Sequence, residues 1–219
     1  RGETDEEKRK EEMAAVKRGR RTMAEGSWGP NRKAGRIVGV MGLGRKTGAT
    51  HFTLWAASYL SGVRQRKTAL MEWNNHGDLK RLEKAWFPAE KRGNVFQALG
   101  MDFYKRGEAG ELARCLEAKY DEVLIDFGER VKETQNEWQR CDVRIATVSF
   151  SDWQLEAAGG MADLRRALGR GWVCLSVFGS EDARGEAQRR LGIPVIRIPF
   201  SEDPFHVDRR AMEWFEGVL

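Results

Sequence analysis

"VGVMGLGRKTGATHF", residues 38–52, decides how this chain reads. Apolar Val38, Val40 and Met41 run into Gly42 and Gly44, and a third glycine, Gly48, closes the turn. Behind it, "ATHFTLWAASYLSGV" (49–63) sets Phe52, Leu54, Trp55, Ala57, Tyr59 and Leu60 at helical spacing. A strand that turns through glycines into a helix presents free backbone N–H groups and a positive dipole end to an anion. Thr50 offers a hydroxyl just inside that helix, and Arg45 and Lys46 put charge in the turn itself. A phosphate-binding loop of the usual kind carries a lysine directly after its last glycine, and here that position is Ala49. Taken alone, the pattern also describes a tight turn that binds nothing.

Moving outward, "DEVLIDFG" (121–128) is an apolar strand that delivers Asp126 at its end. A carboxylate there is what Mg²⁺-dependent phosphoryl chemistry uses opposite a loop hydroxyl. It is equally a common turn residue. "KTALMEW" (67–73) is a second buried strand, and Glu72, Asn74 and Asn75 follow from it. They suit either the orientation of water, contact across a dimer, or the turn before a helix at 77–87.

The rest of the chain alternates strand and helix. Strands are expected at 36–42, 67–73, 121–128, 143–150, 172–179 and 193–200, with a short strand pair over 94–107 turning at Gly100. Helices are expected at 49–63, 77–87, 110–120, 134–141, 151–168, 180–192 and 204–219, with Ser180 as a cap and Gly192 as a stop. Such alternation predicts an α/β fold, a doubly wound and mostly parallel sheet flanked by helices. Ligands of such sheets sit beyond the carboxyl ends of the strands. The first loop, Asp126 and the segment after Phe200 should therefore share one edge.

Composition narrows the classes. A chain of 219 residues with 41% apolar content can bury one core. No apolar run is long enough to span a membrane. Net charge is +5, about +3 of it in the first 33 residues, so the body is nearly balanced and specific nucleic-acid binding is not expected. Three dispersed cysteines and three scattered histidines argue against a disulfide framework or structural zinc, and fit a reducing cytoplasm. Residues 1–35 read as a charged arm and a Gly/Pro linker, and 36–219 as the folded domain. The chain begins at Arg1, as a fragment of a longer protein would.

In motif order the chain resembles the ParA/MinD group of deviant-Walker P-loop ATPases (SIMIBI-like). Within it, the chain most resembles the TadZ/CpaE-like branch linked to Flp-type pilus assembly. The family loop Lys-Gly-Gly-x-Gly-Lys-Thr-Thr falls on Gly44, Arg45, Lys46, Thr47, Gly48, Ala49, Thr50 and His51. Both family lysines and two family glycines are replaced, leaving Gly48 and Thr50. The resemblance makes residues 44–51 the ATP-binding loop. It makes Thr50 and Asp126 the Mg²⁺ site, and Asp126 and Glu72 the catalytic candidates. Glu72-Trp73-Asn74 stands where the family has Asp-x-Asp. The adenine-reading Asn is replaced near Phe178-Gly179, and "RIPFSEDPF" (197–205) is similar to the family's base-proximal loop. The resemblance implies a homodimer, pilus or secretion components as protein partners, and a cytoplasmic protein with peripheral membrane contact at the cell pole. An eroded loop implies an assembly or localisation factor with weak or no hydrolysis, the alternative being an active ATPase with a rearranged loop.

Overall fold

The computed structural model describes residues 35–89, 93–129, 133–150 and 168–219. The charged arm and linker, up to residue 34, lie outside the described residues, as does the expected helix over 151–168 except for Leu168.

The strands are β1 (Arg36–Gly42), β2 (Thr68–Glu72), β3 (Val95–Ala98), β4 (Met101–Tyr104), β5 (Glu122–Asp126), β6 (Val143–Phe150), β7 (Val173–Gly179) and β8 (Val195–Arg197). The helices among the described residues are α1 (Ala49–Ser58), α2 (Asp78–Trp86), α3 (Ala109–Glu117), α4 (Gln135–Arg140), α5 (Glu181–Leu191) and α6 (Arg209–Val218). A wider π turn, Tyr59–Val63, ends α1.

The eight strands among the described residues form one sheet in the order β3-β4-β2-β5-β1-β6-β7-β8. Every pairing is parallel except that of β3 with β4. The expected α/β architecture is therefore the observed one. Both sheet faces are covered, which is why the central strands read as continuous apolar runs. Val38 and Val40 of β1 face the core layer under α1, α2 and α6. Ile37 and Met41 face the opposite layer, under α3, α4 and α5. Cys115, Cys141 and Cys174 are buried and free within that second layer.

The connection from β1 leads across β5 to β2, whereas β6 lies on the other side of β1. The turn after β1 thus opens at the point where strand order reverses, the usual ligand crevice of an open α/β sheet. Register fixes the neighbours there: Val40 pairs with Asp126, Glu72 pairs with Asp126, and Gly42 pairs with Thr147.

Two elements, β8 and α6, fall well short of what the periodicity predicts. β8 spans only Val195–Arg197 instead of 193–200. Pro194 and Pro199 bracket it, and a proline has no N–H for the ladder. α6 begins at Arg209 instead of 204, because Asp208 caps it by accepting from Ala211 N at 2.7 Å. Between them the chain turns on Asp203, whose carboxylate accepts from Phe205 N at 2.8 Å. The expected cap and stop of α5 are in place: Ser180 accepts from Ala183 N, and Gly192 turns left-handed.

The terminal helix docks on α1. Tyr59 stacks on Phe215 at 4.8 Å, and Trp55 stacks on Trp214 at 6.1 Å. Phe215 is fully buried. The apolar face that a membrane-binding helix would need is thus spent internally. No described helix is long and apolar enough to cross a membrane.

Candidate functional site: a phosphate-type loop above a Thr–Asp pair

The loop after β1 is held from three sides. Gly42 N donates to Gly128 O and Leu43 N to Thr147 O, each at 2.8 Å. The Thr47 hydroxyl points inward, bonded to Gly44 O at 3.1 Å and to Thr147 Oγ1 at 3.2 Å. A Cβ on Gly42 would lie 2.6 Å from that hydroxyl oxygen, so only glycine lets the loop fold back so closely. Thr47 therefore offers a ligand its backbone and not its side chain.

Gly48 caps α1 in the left-handed conformation (φ 79°) and supplies no side chain to the helix end. No acidic residue lies in the first turn of α1. The N–H groups of Ala49, Thr50 and His51 thus keep their unmet positive end toward the cleft. Lys46, the residue standing at a family glycine, also adopts positive φ, 57°. A side chain at such a position opposes the wrap, because the left-handed region favours glycine. The loop instead wraps with the lysine in the left-handed region, at a cost of about 1–2 kcal/mol.

Below the loop, Thr50 Oγ1 donates to Asp126 Oδ2 at 2.7 Å. The other Asp126 oxygen accepts from Gly128 N at 2.9 Å. Burial pushes the Asp126 carboxyl above its ordinary range, while Thr50 and the Gly128 amide pull it back. Thr50 and Asp126 are neighbouring hard oxygen donors, the ligand type that Mg²⁺ takes. Among the described residues no three His, Cys, Asp or Glu side chains group into a metal cluster. An ion held by this pair would complete its shell with water and ligand oxygens, which suits Mg²⁺.

A cleft of about 420 Å³ opens here, lined by the loop, His51, His76, Asp78, Gly128 and Glu129. That is the size of a small-molecule site. The structure brings Gly44, Arg45, Lys46, Thr47, Gly48, Ala49, Thr50 and His51 to one wall, with Asp126 beneath. Ala49 is buried, and no cation stands at the helix start. His51 leans toward the segment after β8, where the Ser201 backbone and Asp203 face it. Burial nevertheless holds its imidazole below the ordinary value, and its Nε2 is buried with no hydrogen-bond partner.

Glu72 is not part of this wall. Its two carboxylate oxygens accept from Asp78 N (2.8 Å) and Leu79 N (3.2 Å), which satisfies the start of α2. Of the three readings open for this stretch, that geometry is the turn before a helix. Asn74 ties the same turn to β5, donating to Asp126 O at 3.1 Å, while Asn75 is exposed. The far wall was not foreseen. His76 and Asp78 come from the β2–α2 turn and Glu129 from the turn after β5. Their only signal in the sequence is position, within a few residues of a strand's carboxyl end.

Solved structures share this architecture. A plasmid partition protein from Borrelia burgdorferi bound to AMPPNP is similar at TM-score 0.60 and 13% identity, over 84% of this chain and 96% of that one. The chain has the ParA/MinD fold. A ParA family ATPase from Chlorobium tepidum matches at TM-score 0.54 and 17% identity, over 83% of this chain and 90% of that one. MinD from Aquifex aeolicus, in complex with MinC, matches at TM-score 0.60 and 12% identity, over 84% and 94%. Identities this low speak for the ParA/MinD fold and not for a shared activity. No family model matches the sequence, and no curated protein matches it.

Proposed function

We propose that this chain is a degenerate ParA/MinD-like P-loop protein that binds ATP with Mg²⁺ and turns it over weakly or not at all. It works as an assembly or localisation factor, with nucleotide as a switch. The observation that carries this reading is the loop itself. A helix start with no side-chain cap and the 2.7 Å Thr50–Asp126 pair remain, while Ala49 stands where the stabilising lysine would be. Backbone N–H groups of residues 44–51 hold phosphate, and Thr50 and Asp126 hold the ion. Losing one electrostatic donor of that kind raises a phosphoryl-transfer barrier by about 3 kcal/mol, or roughly a hundredfold in rate.

The motif order favours the TadZ/CpaE-like branch. Its implied partners are a second copy of the chain and protein components of a pilus or secretion assembly, in the cytoplasm near the polar membrane.

Titration calorimetry with ATP and Mg²⁺, run beside a phosphate-release assay, tests the reading. Saturable binding with release at background is expected. No heat and no thermal stabilisation at millimolar ATP would remove it. Saturable binding with sustained release would favour the second reading, an active ATPase in which Lys46 or Arg45 supplies the missing charge. That alternative draws on Lys46, a cation of the loop that lines the cleft. In it, Asp126→Ala abolishes release.

A further inference from the structure

The cleft already contains an anion beside its loop cation. Glu129 stands opposite the phosphate-type loop, with Oε1 3.8 Å from Arg45 Nε and Oε2 3.0 Å from His76 Nε2. It thereby links two walls of the cleft, the loop after β1 and the turn between β2 and α2.

Its position is built. Gly128, just before it, turns at φ 57°, and a Cβ there would lie 3.0 Å from Asn74 Cβ and 3.1 Å from His76 Cε1. Gly128 N is held by Asp126, and Asn74 bonds both Asp126 O and His76 N. One knot of hydrogen bonds thus ties the turn just before Glu129 to the turn that carries His76. Among the described residues, the charged and titratable groups facing Glu129 are Arg45 on the loop and His76 on the turn, with Asp78 beyond His76 at 3.9 Å. Asp78 is itself engaged by Arg81 at 2.7 Å.

A phosphate chain entering this cleft meets Arg45 already facing a carboxylate. With no cation at residue 49, Arg45 and Lys46 are the charges the loop can offer. We propose that Glu129 is an internal counter-anion, which competes with phosphate for Arg45 and sets how readily the cleft accepts a polyphosphate. The inference rests on reading the cleft as a phosphate site. His76 is a positioning residue in this arrangement, since it holds Glu129 from the opposite side.

Glu129→Gln keeps the shape and removes the charge. Its side chain is about one-third exposed, 32%, so the fold should tolerate the change. Affinity for ATP with Mg²⁺ is measured by calorimetry at low and at high ionic strength, for wild type, Glu129→Gln, Arg45→Ala and the double variant. Glu129→Gln should bind about two- to fivefold more tightly at low salt, the range expected of an exposed charge pair. The gain should shrink at high salt, where exposed charges are screened. It should also shrink in the Arg45→Ala background, because the competition runs through that guanidinium. Binding by Glu129→Gln alone also supports the proposal. Equal or weaker binding by Glu129→Gln overturns it, weaker binding identifying Glu129 as part of the ligand's own shell. A gain undiminished without Arg45 overturns it too. Binding by none of the four proteins removes the phosphate-site reading together with this one.

Discussion

At the scale of single residues, Lys46 holds opposing effects in one position. A non-glycine residue with φ 57° carries backbone strain, and glycine would carry none. Lys46→Gly should therefore stabilise the free protein by about 1 kcal/mol, or roughly 2–4 °C in melting temperature for a chain of this size. It should also weaken ATP binding, because a cation lining the cleft is gone. Lys46→Ala separates the two effects, losing the charge while keeping a Cβ in the left-handed region. Thermal melts and calorimetry on both variants should show weaker binding in each and added stability only in the glycine. Equal melting temperatures would mean that the loop relaxes freely. The sequence announces Gly48, Thr50 and Asp126 because glycine, hydroxyl and carboxylate at strand ends form a recognised spacing. It does not announce the strain, since nothing in the letter K marks a left-handed backbone. His76, Asp78 and Glu129 were equally silent, because polar residues are the default content of any turn.

At the scale of elements, Glu72 shows how a residue chosen for chemistry can belong to architecture. It ends β2, is almost fully buried, and spends both oxygens on the first amides of α2. The periodicity of 77–87 located that helix, yet could not say what satisfies its start, because the acceptor lies upstream in a strand. Burial raises the Glu72 carboxyl above its ordinary range, and the two amides oppose the rise. The native protein therefore takes up this proton at a higher pH than the unfolded chain does. Its contribution to stability is fullest below the ordinary carboxylate value and is lost as pH rises through the raised native value. Glu72→Gln cannot titrate. In urea melts between pH 4 and pH 8, the stability of wild type relative to Glu72→Gln should fall as pH rises and then level off. A difference independent of pH would mean that the native and unfolded carboxyls titrate alike. The truncated β8 and delayed α6 have a similar cause. Flanking prolines and the Asp203 turn override the apolar pattern that predicted longer elements.

At the scale of the whole molecule, the doubly wound sheet was legible because each buried strand is followed by a helix-length segment. Topology then needs few further decisions, since parallel crossovers take one hand. Less legible was the way the chain returns over α1 after β8. His206 O accepts from Trp55 Nε1 at 3.1 Å, Phe205 packs on Trp86 at 4.9 Å, and α6 then lies against α1. Aromatics in the sequence announce packing without naming their partners. This docking decides between two uses of the terminal helix. If α6 served as a membrane anchor, removing its central aromatic would leave the fold nearly as stable and weaken adhesion to anionic vesicles. Phe215 is instead fully buried between Tyr59, Trp55 and Phe52. Phe215→Ala should cost about 3–5 kcal/mol, a large share of the 5–15 kcal/mol that holds a typical domain together. Urea unfolding should show that loss, and in vesicle sedimentation the folded wild-type domain should remain in the supernatant. Undiminished stability together with lost vesicle binding would return α6 to the membrane. Because α1 starts at the cleft and lies under α6, the same loss of packing should reach the site as well. Phe215→Ala should then show a smaller thermal shift on adding ATP with Mg²⁺, since a loosened α1 must be ordered before its first turn can hold phosphate.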